Sequence, residues 1–439
     1  MTATETIFAL ATGAGRGAIA VIRMSGPACR DILARLAGGL PKPRLASLRR
    51  LRCPQTRDVL DEALVLWFPG PGSYTGEDSA EFHLHGGPAV ISAVGTALAA
   101  LGARPAEPGE FTRRAFLNGR MDLTAAEGIA DLIAAETDAQ RRQALRQADG
   151  ALARLYGDWA DRLTRLLAHQ EAAIEFADED LPTDLGDRAR AGAGALRAGI
   201  EAHLADGGRG ERLREGLLVA ILGAPNAGKS SLLNALAGRD AAIVSARAGT
   251  TRDVVEVRLA LAGIPVTLAD TAGLREAADE IEEEGIRRAR RRAEEADLVL
   301  AVFAADQPAD AETLAWVGPG ALVLANKVDI AAPPGAIGGA NPLAVSARTG
   351  EGLDTLRARL ETEAIRLAGT GDAAVLTRPR HRAALTEAVE WLAEAEAATL
   401  PELVSEALRA ALRALGRLTG RVGVEEILDV VFRDFCIGK

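Results

Sequence analysis

The 439-residue sequence has three cysteines, Cys29, Cys53 and Cys436, and no long hydrophobic run. Because the cysteines are scattered and odd in number, they argue against a disulfide framework and against a zinc site. No stretch of about 18 uncharged apolar residues is present, and the first residues lack the basic and apolar regions of a signal peptide. These absences predict a cytoplasmic protein that does not enter a membrane.

Lysine is also scarce, because only four of the 51 basic residues are lysine: Lys42, Lys229, Lys327 and Lys439. Where arginine replaces lysine almost throughout, a retained lysine marks a site that needs a compact ammonium group. Lys42, in the loop PKPR, shows that this criterion is imperfect. The formal net charge of −10 means that the surface as a whole repels nucleic acid. An RNA contact therefore needs a local basic patch or a partner protein.

Residues 1–118 show mixed α/β patterns, with Gly- and Pro-rich loops between apolar or alternating stretches. The predicted strands and helices of this part are Ala18–Met24, Ala63–Phe68, Ala80–Leu84, Cys29–Ala37 and Ala89–Leu101. A chain of this length is too long for one core, so further domains are expected after it.

The rest of the chain changes character twice. Residues 119–212 are rich in Ala, Leu, Arg and Glu at helical spacing, residues 213–368 alternate strand, loop and helix, and residues 369–439 return to helical composition. We predict a multidomain protein of α/β and all-α parts. In this architecture a Ras-like P-loop G domain is inserted in a discontinuous helical domain, and an α/β N-terminal domain precedes both.

The sequence LLVAILGAPNAGKSSLLNAL predicts a buried strand, a phosphate-binding loop and a helix. Gly223 and Gly228 let the loop turn its N–H groups toward phosphates. Lys229 reaches the β- and γ-phosphates, and Ser230 offers a hydroxyl to Mg²⁺. A Gly-rich turn with a chance lysine is the structural alternative. The residues predicted to bind GTP here are Asn226, Ala227, Gly228, Lys229, Ser230 and Ser231.

The tetrapeptide DTAG follows the apolar strand IPVTLA and consists of Asp270, Thr271, Ala272 and Gly273. Asp270 is predicted to hold Mg²⁺ through water, and the Gly273 N–H to contact the γ-phosphate. The segment AGTTRD lies between the two motifs, where a switch loop belongs. Within it, Thr251 is the predicted second Mg²⁺ hydroxyl and Thr250 the alternative, and a capping or turn role is the structural interpretation of both.

The motifs NKVD and SAR predict that the base is guanine. The Asp329 carboxylate accepts hydrogen bonds from guanine N1–H and N2–H₂, and adenine has no donors at those positions. Lys327 is predicted to lie along the purine plane, and SAR to supply a backbone N–H to guanine O6. The predicted base-site residues are Asn326, Lys327, Asp329, Ser346, Ala347 and Arg348.

Leu274 stands where Ras-like enzymes have the glutamine that orients the attacking water. Leucine cannot orient water, so hydrolysis needs another group. The acidic run ADEIEEEG supplies Glu282 as a candidate, although each glutamate of this run also fits a solvated helix face.

These motifs resemble a specific family, the bacterial tRNA-modification GTPases of the MnmE/TrmE type. The similar stretches in the G domain and at the C-terminus are GAPNAGKSSLLNALAGRDAAIVS, GTTRD, DTAGLREAADEIEEEGI, NKVD, SARTGEG and FCIGK. Those near the N-terminus are GRGAIAVIRMSG, LWFPGPGSYTGEDSAEFHLHGG and PGEFTRRAFLNGRMDLTAAEGIADLI. The G motifs alone fit many translational GTPases, so the N-terminal block and CIGK make the resemblance specific.

The resemblance implies a homodimer whose GTP hydrolysis is stimulated by K⁺ when two G domains meet. It implies K⁺ ligands at Asn226, Ser245, Arg247 and Thr250, with Ser245 and Thr250 also at the nucleotide. It places the water-orienting glutamate at Glu282, which explains why position 274 is free to be leucine. Potassium would then supply the positive charge that an arginine finger supplies elsewhere.

The resemblance also implies a substrate and partners. With an FAD-binding partner protein, in a heterotetramer or larger complex, such a family modifies C5 of the wobble uridine in tRNA with a one-carbon unit from tetrahydrofolate. It points to Arg23, Glu81, Arg120 and Lys439 around 5-formyl-tetrahydrofolate, although the family usually has lysine at position 120. It gives Cys436 a role in the modification chemistry, for which the sequence shows no base.

Two other functions remain open from the motifs alone. A regulatory GTPase switch would act on ribosome assembly or signalling partners without modification chemistry of its own. A folate-sensing scaffold would bind GTP and barely turn it over. His83 and His85 share one strand face, but no third metal ligand is placed, and polar structural residues beside the folate pocket are the favoured interpretation.

Overall fold

The computed structural model describes residues 5–13, 15–175, 185–239, 255–270, 291–369 and 375–422, and the single positions 428, 431, 432, 435 and 438. The contacts divide the chain into two compact units. The first unit consists of residues 1–130, 147–164 and 412–439, and the second of residues 131–146 and 165–411. The domain boundaries proposed from the sequence stay predictions.

The first unit contains a six-stranded sheet in the order β3-β4-β5-β2-β1-β6. Its strands are β1 Ile7–Leu10, β2 Ile19–Ser25, β3 Ser47–Arg52, β4 Val59–Phe68, β5 Ser79–His85 and β6 Arg104–Pro105. The pairs are antiparallel except for the parallel pair β1–β6. β3 has β4 as its one neighbour in this order and is therefore an edge strand.

Helices α1 Cys29–Leu36 and α2 Pro88–Ala100 cover one face of this sheet. On the other face, Phe111 of α3 Glu110–Leu117 packs against Ile7 and Ala9 of β1. In α1 the buried residues Cys29, Ile32, Leu33 and Leu36 recur at i, i+3, i+4 and i+7, so one stripe of the helix faces the core. α1 and α2 pack in the same hydrophobic cluster as Phe82 of β5. The predicted strands and helices of residues 18–101 are confirmed, whereas β1, β3, β6 and α3 were not predicted.

Helices follow along the chain, as the composition predicts. They are α4 Leu123–Ala134, α5 Asp138–Ala148, α6 Ala151–Glu175, α7 Leu185–Leu204 and α8 Arg209–Glu215.

The second unit contains a six-stranded sheet in the order β12-β11-β10-β7-β9-β8. Its strands are β7 Leu217–Leu222, β8 Val255–Leu261, β9 Ile264–Asp270, β10 Leu298–Ala304, β11 Ala321–Asn326 and β12 Leu343–Ala344. Only the pair β8–β9 is antiparallel. The helices along this part are α9 Lys229–Arg239, α10 Ala311–Leu314 and α11 Leu353–Ala368. The α/β pattern predicted from residue 216 onward is confirmed.

Parallel strands of this sheet are buried on both faces, so they are nearly continuous apolar runs such as LVLAVFA in β10. Two further helices, α12 Pro379–Ala397 and α13 Pro401–Thr419, complete the described elements. Within the second unit α12 packs along α7, where Arg197 donates two hydrogen bonds to the Glu396 carboxylate, at 3.0 and 3.1 Å. No described helix has the length and apolarity needed to cross a membrane.

Candidate functional site

The loop between β7 and α9 lies at the carboxyl end of β7, one of the two central strands of the second sheet. Gly223 cannot carry a side chain, because a Cβ there would lie 2.3 Å from the Val302 carbonyl oxygen. Gly228 has φ +90°, and its Cβ would lie 2.2 Å from Asn326 Nδ2. The loop is therefore closely packed on β10 and β11. This is the geometry in which backbone N–H groups at a helix N-terminus face an anion.

Lys229 and Ser230 begin α9 and extend into this loop. The Lys229 ammonium is buried and donates to the Gly223 and Ala224 carbonyl oxygens at 2.8 and 2.9 Å. A cationic group enclosed by the loop is placed to receive the β- and γ-phosphates predicted for it. Of the other predicted phosphate-site residues, Ala227 is buried, Asn226 has a left-handed backbone with φ 63°, and Ser231 is exposed on α9.

The hydroxyl of Ser230 donates to Asp270 Oδ2 at 2.8 Å. Asp270 ends β9 and is 1% exposed, and β9 is the parallel neighbour of β7. The two strand ends thus bring a carboxylate and a hydroxyl together beside the phosphate loop. Hard oxygen donors of this kind are what Mg²⁺ prefers. These residues fit the predicted magnesium site, with Ser230 as a direct ligand and Asp270 holding the ion through water.

Asn326, at the end of β11, connects the phosphate loop to the SAR segment. Its amide nitrogen donates to the Ala227 carbonyl oxygen at 2.8 Å, and its oxygen accepts from the Ala347 N–H at 3.1 Å. Asn326 itself is 2% exposed. This asparagine therefore acts as a brace that joins two predicted nucleotide-binding segments 99 and 21 residues away in the sequence.

The predicted guanine acceptor, Asp329, is oriented by the SAR segment. Ser346 Oγ donates to Asp329 Oδ1 at 2.6 Å, and Arg348 Nη2 lies 2.6 Å from Asp329 Oδ2. The Ser346 hydrogen bond, with the Arg348 charge adding to it, lowers the pKa of Asp329. The carboxylate is thus ionised and ready to accept guanine N–H groups. Lys327, with φ 66°, places its ammonium 3.4 Å from Asp306.

Several predicted residues lie outside the described part of the chain, and they stay predictions. These are Ser245, Arg247, Thr250, Thr251, Thr271, Ala272, Gly273, Leu274, Glu282, Cys436 and Lys439. The described part of the predicted nucleotide site consists of the phosphate loop, Asp270 and the segments that carry Asn326, Asp329 and Ser346.

A second group of predicted residues meets on the first sheet. Arg23 of β2 and Glu81 of β5 are register partners, and Arg23 Nε and Nη2 donate to Glu81 Oε1 at 3.1 and 3.0 Å. The guanidinium carbon lies 5.4 Å from the Tyr74 ring centroid and 6.0 Å from that of Phe111. His83 Nε2 lies 3.4 Å from Glu81 Oε2. A half-buried cation, a carboxylate and two rings suit a flat, polar, anionic ligand.

Of the other predicted folate residues, only Arg120 lies in the described part of the chain. Arg120 is exposed and contacts Gly76, two residues from Tyr74, since a Cβ on Gly76 would lie 3.3 Å from Arg120 Cγ. Gly438 lies against β1, where its Cβ would be 2.4 Å from the Leu10 carbonyl oxygen. Gly438 therefore lies against β1, which pairs with β2, the strand that contains Arg23.

Sequence reasoning missed a charged network around α3. Arg114, 5% exposed on its side chain, lies 3.1 Å from Glu77 Oε2 and 2.8 Å from Glu110 Oε1, and Arg104 lies 2.7 Å from the same Glu110 atom. Burial alone would raise the pKa of Glu110, but hydrogen bonds from Arg104, the Glu107 N–H and Arg114 together lower it to about 2. The run PGEFTRRAF, with its charges at helical spacing, was the available signal.

The histidine pair and two cysteines take structural positions. His85 Nδ1 lies 2.7 Å from Asp61 Oδ1, and His83 contacts Glu81. Among the described residues no group of three or more His, Cys, Asp or Glu side chains is arranged to hold a metal ion. Cys29 is buried in the core, and burial raises the pKa of its thiol, while Cys53 lies in the β3–β4 turn.

Comparison with known proteins covers the whole chain. A family model described as the MnmE helical domain matches residues 123–436, and one described as the GTP-binding protein TrmE N-terminus matches residues 6–120.

Proteins called tRNA modification GTPase MnmE are similar over their full lengths. The one from Gluconacetobacter diazotrophicus is 60% identical over 99% of this chain and 98% of its own. Those from Methylorubrum populi and Granulibacter bethesdensis are 58% and 56% identical, again over 99% of this chain and 98% and 99% of theirs.

Proposed function

The chain belongs to the MnmE family of tRNA modification GTPases, and from this premise we propose that its GTP hydrolysis is K⁺-activated and drives modification of wobble uridine at C5. As a family member it is a GTP hydrolase involved in tRNA modification. The observation that carries the nucleotide part is the convergence of Lys229, Ser230, Asp270 and Asp329 at the strand ends of one sheet.

In this proposal, different residues of the chain bind GTP and promote its hydrolysis. The phosphate loop and Lys229 hold the β- and γ-phosphates, and Asp329 and the Ala347 N–H select guanine. Glu282 orients the attacking water in place of the missing glutamine. A potassium ion, when bound, supplies positive charge to the transferring phosphoryl group. Asn226 is one of the proposed K⁺ ligands. Its backbone is left-handed, with φ 63°, and this conformation sets the turn from which its side chain projects.

The proposed folate site is the group around Arg23. The guanidinium between Tyr74 and Phe111 would bind an anionic part of 5-formyl-tetrahydrofolate, and Glu81 would accept N–H groups of the pteridine. Arg120 and Lys439 would add positive charge at its margin. The bound folate supplies the one-carbon unit, while the residues described here orient it.

We further propose that the protein works as a homodimer with an FAD-binding partner, as family membership implies. Neither assembly requires a membrane. Cys436 is assigned to the modification chemistry only through the family motif CIGK. A test of these assignments begins with the GTPase step, since that step uses residues of this chain alone.

The experiment is GTP turnover by the full chain in buffers that differ only in KCl or NaCl. We expect a K⁺-specific rate in the wild type that falls by roughly 100-fold or more in Glu282→Ala, because a water-positioning group contributes about 10²–10⁴. Glu284→Ala, in the same acidic run, is the matched control and should keep the rate. Equal turnover in both salts would contradict K⁺ activation while leaving GTP hydrolysis and guanine selection in place.

A further inference from the structure

The segment from residue 42 to residue 57 is strongly basic, although the protein as a whole is acidic. It contains six basic residues and no acidic residue, whereas the whole chain has a net charge of −10. We call these six residues the basic edge: Lys42, Arg44, Arg49, Arg50, Arg52 and Arg57. Five of them are exposed, and Arg49 is half-buried. A local positive field of this kind attracts polyanions that the rest of the surface repels.

The basic edge follows edge strand β3. Arg50 and Arg52 lie on one face of the strand with Leu48, which is 63% exposed. Lys42 and Arg44 precede the strand, and Arg57 lies in the turn that follows it. An edge strand offers unpaired backbone groups to a partner, and charged side chains keep that partner from being another sheet.

Two residues of the basic edge have a backbone that arginine seldom adopts. Arg44 has φ 61° and Arg57 has φ 70°, both in the left-handed region. This region costs a non-glycine residue about 1–2 kcal/mol, so glycine or asparagine would be the expected choice for stability. The sequence nevertheless has arginine at both positions, one before β3 and one after it.

The basic edge is also unusual in its lack of acidic partners. Within the described chain only Arg50 lies near a carboxylate, Glu62 at 3.4 Å, and both side chains are at least half exposed. In contrast, Arg104 and Arg382 each lie within ion-pair distance of two carboxylates. Arg52 donates instead to the Arg57 carbonyl oxygen at 3.0 Å, and Arg44 to that of Gly72. Apart from Arg50, these cations are therefore available to an external anion.

We propose that the basic edge is a surface on which the protein holds the phosphate backbone of its tRNA. Arginine side chains on a strand and its flanking turns can each reach a phosphate oxygen, and such contacts supply affinity without reading sequence. Phe68, whose ring lies 5.6 Å from the Arg44 guanidinium carbon, holds that side chain beside the strand. The proposal rests on the tRNA substrate of the proposed function and adds the surface that binds it.

The experiment is an equilibrium titration of a fluorescein-labelled tRNA transcript with the full chain, at several KCl concentrations. The test variant is Arg50→Gln/Arg52→Gln/Arg57→Gln. The matched control, Arg357→Gln/Arg359→Gln/Arg366→Gln on α11, removes the same number of positive charges from ion-paired positions. A third variant with lysine at positions 50, 52 and 57 keeps the charge. The unfolding midpoint of every variant is measured beforehand.

We expect the test variant to bind tRNA roughly 10- to 100-fold more weakly at about 0.1 M salt, with a salt slope smaller by about 2–3. The control and the lysine variant should stay within a few-fold of the wild type. Equal weakening in test variant and control would overturn the proposal, because a general charge effect explains it. Unchanged binding in the test variant would overturn it as well.

Two other results would also contradict the proposal that the basic edge binds tRNA. Both differ from the result that would contradict the proposed function. If the wild type binds no tRNA without a partner protein, the basic edge does not hold it, yet K⁺ activation is decided separately by the turnover assay. If the test variant binds tRNA normally but changes its sedimentation coefficient, the basic edge is a protein interface.

Discussion

The role of Arg23 is ambiguous in the sequence and becomes clearer from its surroundings in the fold. In the sequence it is a charge that interrupts an apolar strand, and an ordinary surface arginine fits it equally well. In the fold its guanidinium carbon lies within 6.0 Å of the centroids of two aromatic rings, and the side chain donates two hydrogen bonds to Glu81. Tyr74 and Phe111 come from a loop and a helix that no local pattern connects with β2. The residue was identifiable only through family resemblance, and its environment only through the fold.

At this residue we predict that Arg23→Gln weakens 5-formyl-tetrahydrofolate binding by roughly 10- to 100-fold, because a charge-assisted hydrogen bond contributes about 1.5–3 kcal/mol. Isothermal titration of the full chain measures it. Arg35→Gln, an exposed change at the end of α1, is the control and should bind as the wild type does. Equal affinity of Arg23→Gln and wild type would remove the folate from this position.

Among the elements, β3 shows why a strand can escape prediction. In SLRRLR the two leucines have opposite parity, so Leu51 faces the core while Leu48 faces solvent, and no period-2 signal arises. α1 is the opposite case, since its apolar residues recur at helical spacing and it was predicted to within one residue of its end. The strand, loop and helix around Gly223 and Gly228 were equally predictable, because they follow one another directly in the sequence.

α8 is a short helix whose packing requires glycine at one position, Gly210. A Cβ on Gly210 would lie 2.2 Å from the Leu376 carbonyl oxygen, and the Gly210 carbonyl accepts from Gln143 at 3.1 Å. We predict that Gly210→Ala destabilises the second unit by about 1–3 kcal/mol, because the backbone near residue 376 must shift. Urea unfolding followed by circular dichroism measures the change.

Gly199→Ala in α7 is the control for this prediction. Gly199 is exposed and nothing lies within 4 Å of its added Cβ, so alanine there should stabilise the helix by about 0.5–1 kcal/mol. Two changes of the same kind would therefore shift the unfolding midpoint in opposite directions. A midpoint for Gly210→Ala at or above that of the wild type would show that α8 has room for a side chain.

For the whole molecule, the sequence predicts local motifs well and long-range pairings poorly. Strand, loop and helix around the phosphate site follow from adjacent residues. The contacts of Arg382 with Asp206 and Glu211 join positions more than 170 residues apart, and nothing near Arg382 in the sequence indicates them. The same holds for the packing of Leu428, Phe432 and Phe435 against Leu123. Such pairings depend on which distant segments of the chain contact each other in the fold. Composition and periodicity do not specify those contacts.

The return of residues 428–438 to the first unit leads to a prediction about its stability. Gly109, with φ +68°, begins α3 against Phe432, since a Cβ there would lie 2.6 Å from the Phe432 carbonyl oxygen. The Phe432 side chain is 3% exposed. We expect Phe432→Ala to destabilise the first unit by about 3 kcal/mol through the cavity it leaves.

Hydrogen–deuterium exchange measures this effect segment by segment. Peptides from α3 and the start of α4 should exchange faster in Phe432→Ala, whereas peptides from β7 and β10 in the second unit serve as the internal control and should not change. Equal protection of α3 in both proteins would mean that residues 428–438 contribute nothing to the stability of the first unit.

The first unit is assembled from segments that a ribosome makes at very different times. Residues 1–130 are complete about 280 residues before residue 412 is added, which at roughly 5–20 residues per second is on the order of 15–60 s. During that interval the pocket that later receives Phe432 and Phe435 stays open to solvent. The second unit has all its residues before residue 412 is added. Nascent chains stalled after residue 411 would therefore present an unfinished apolar surface to chaperones.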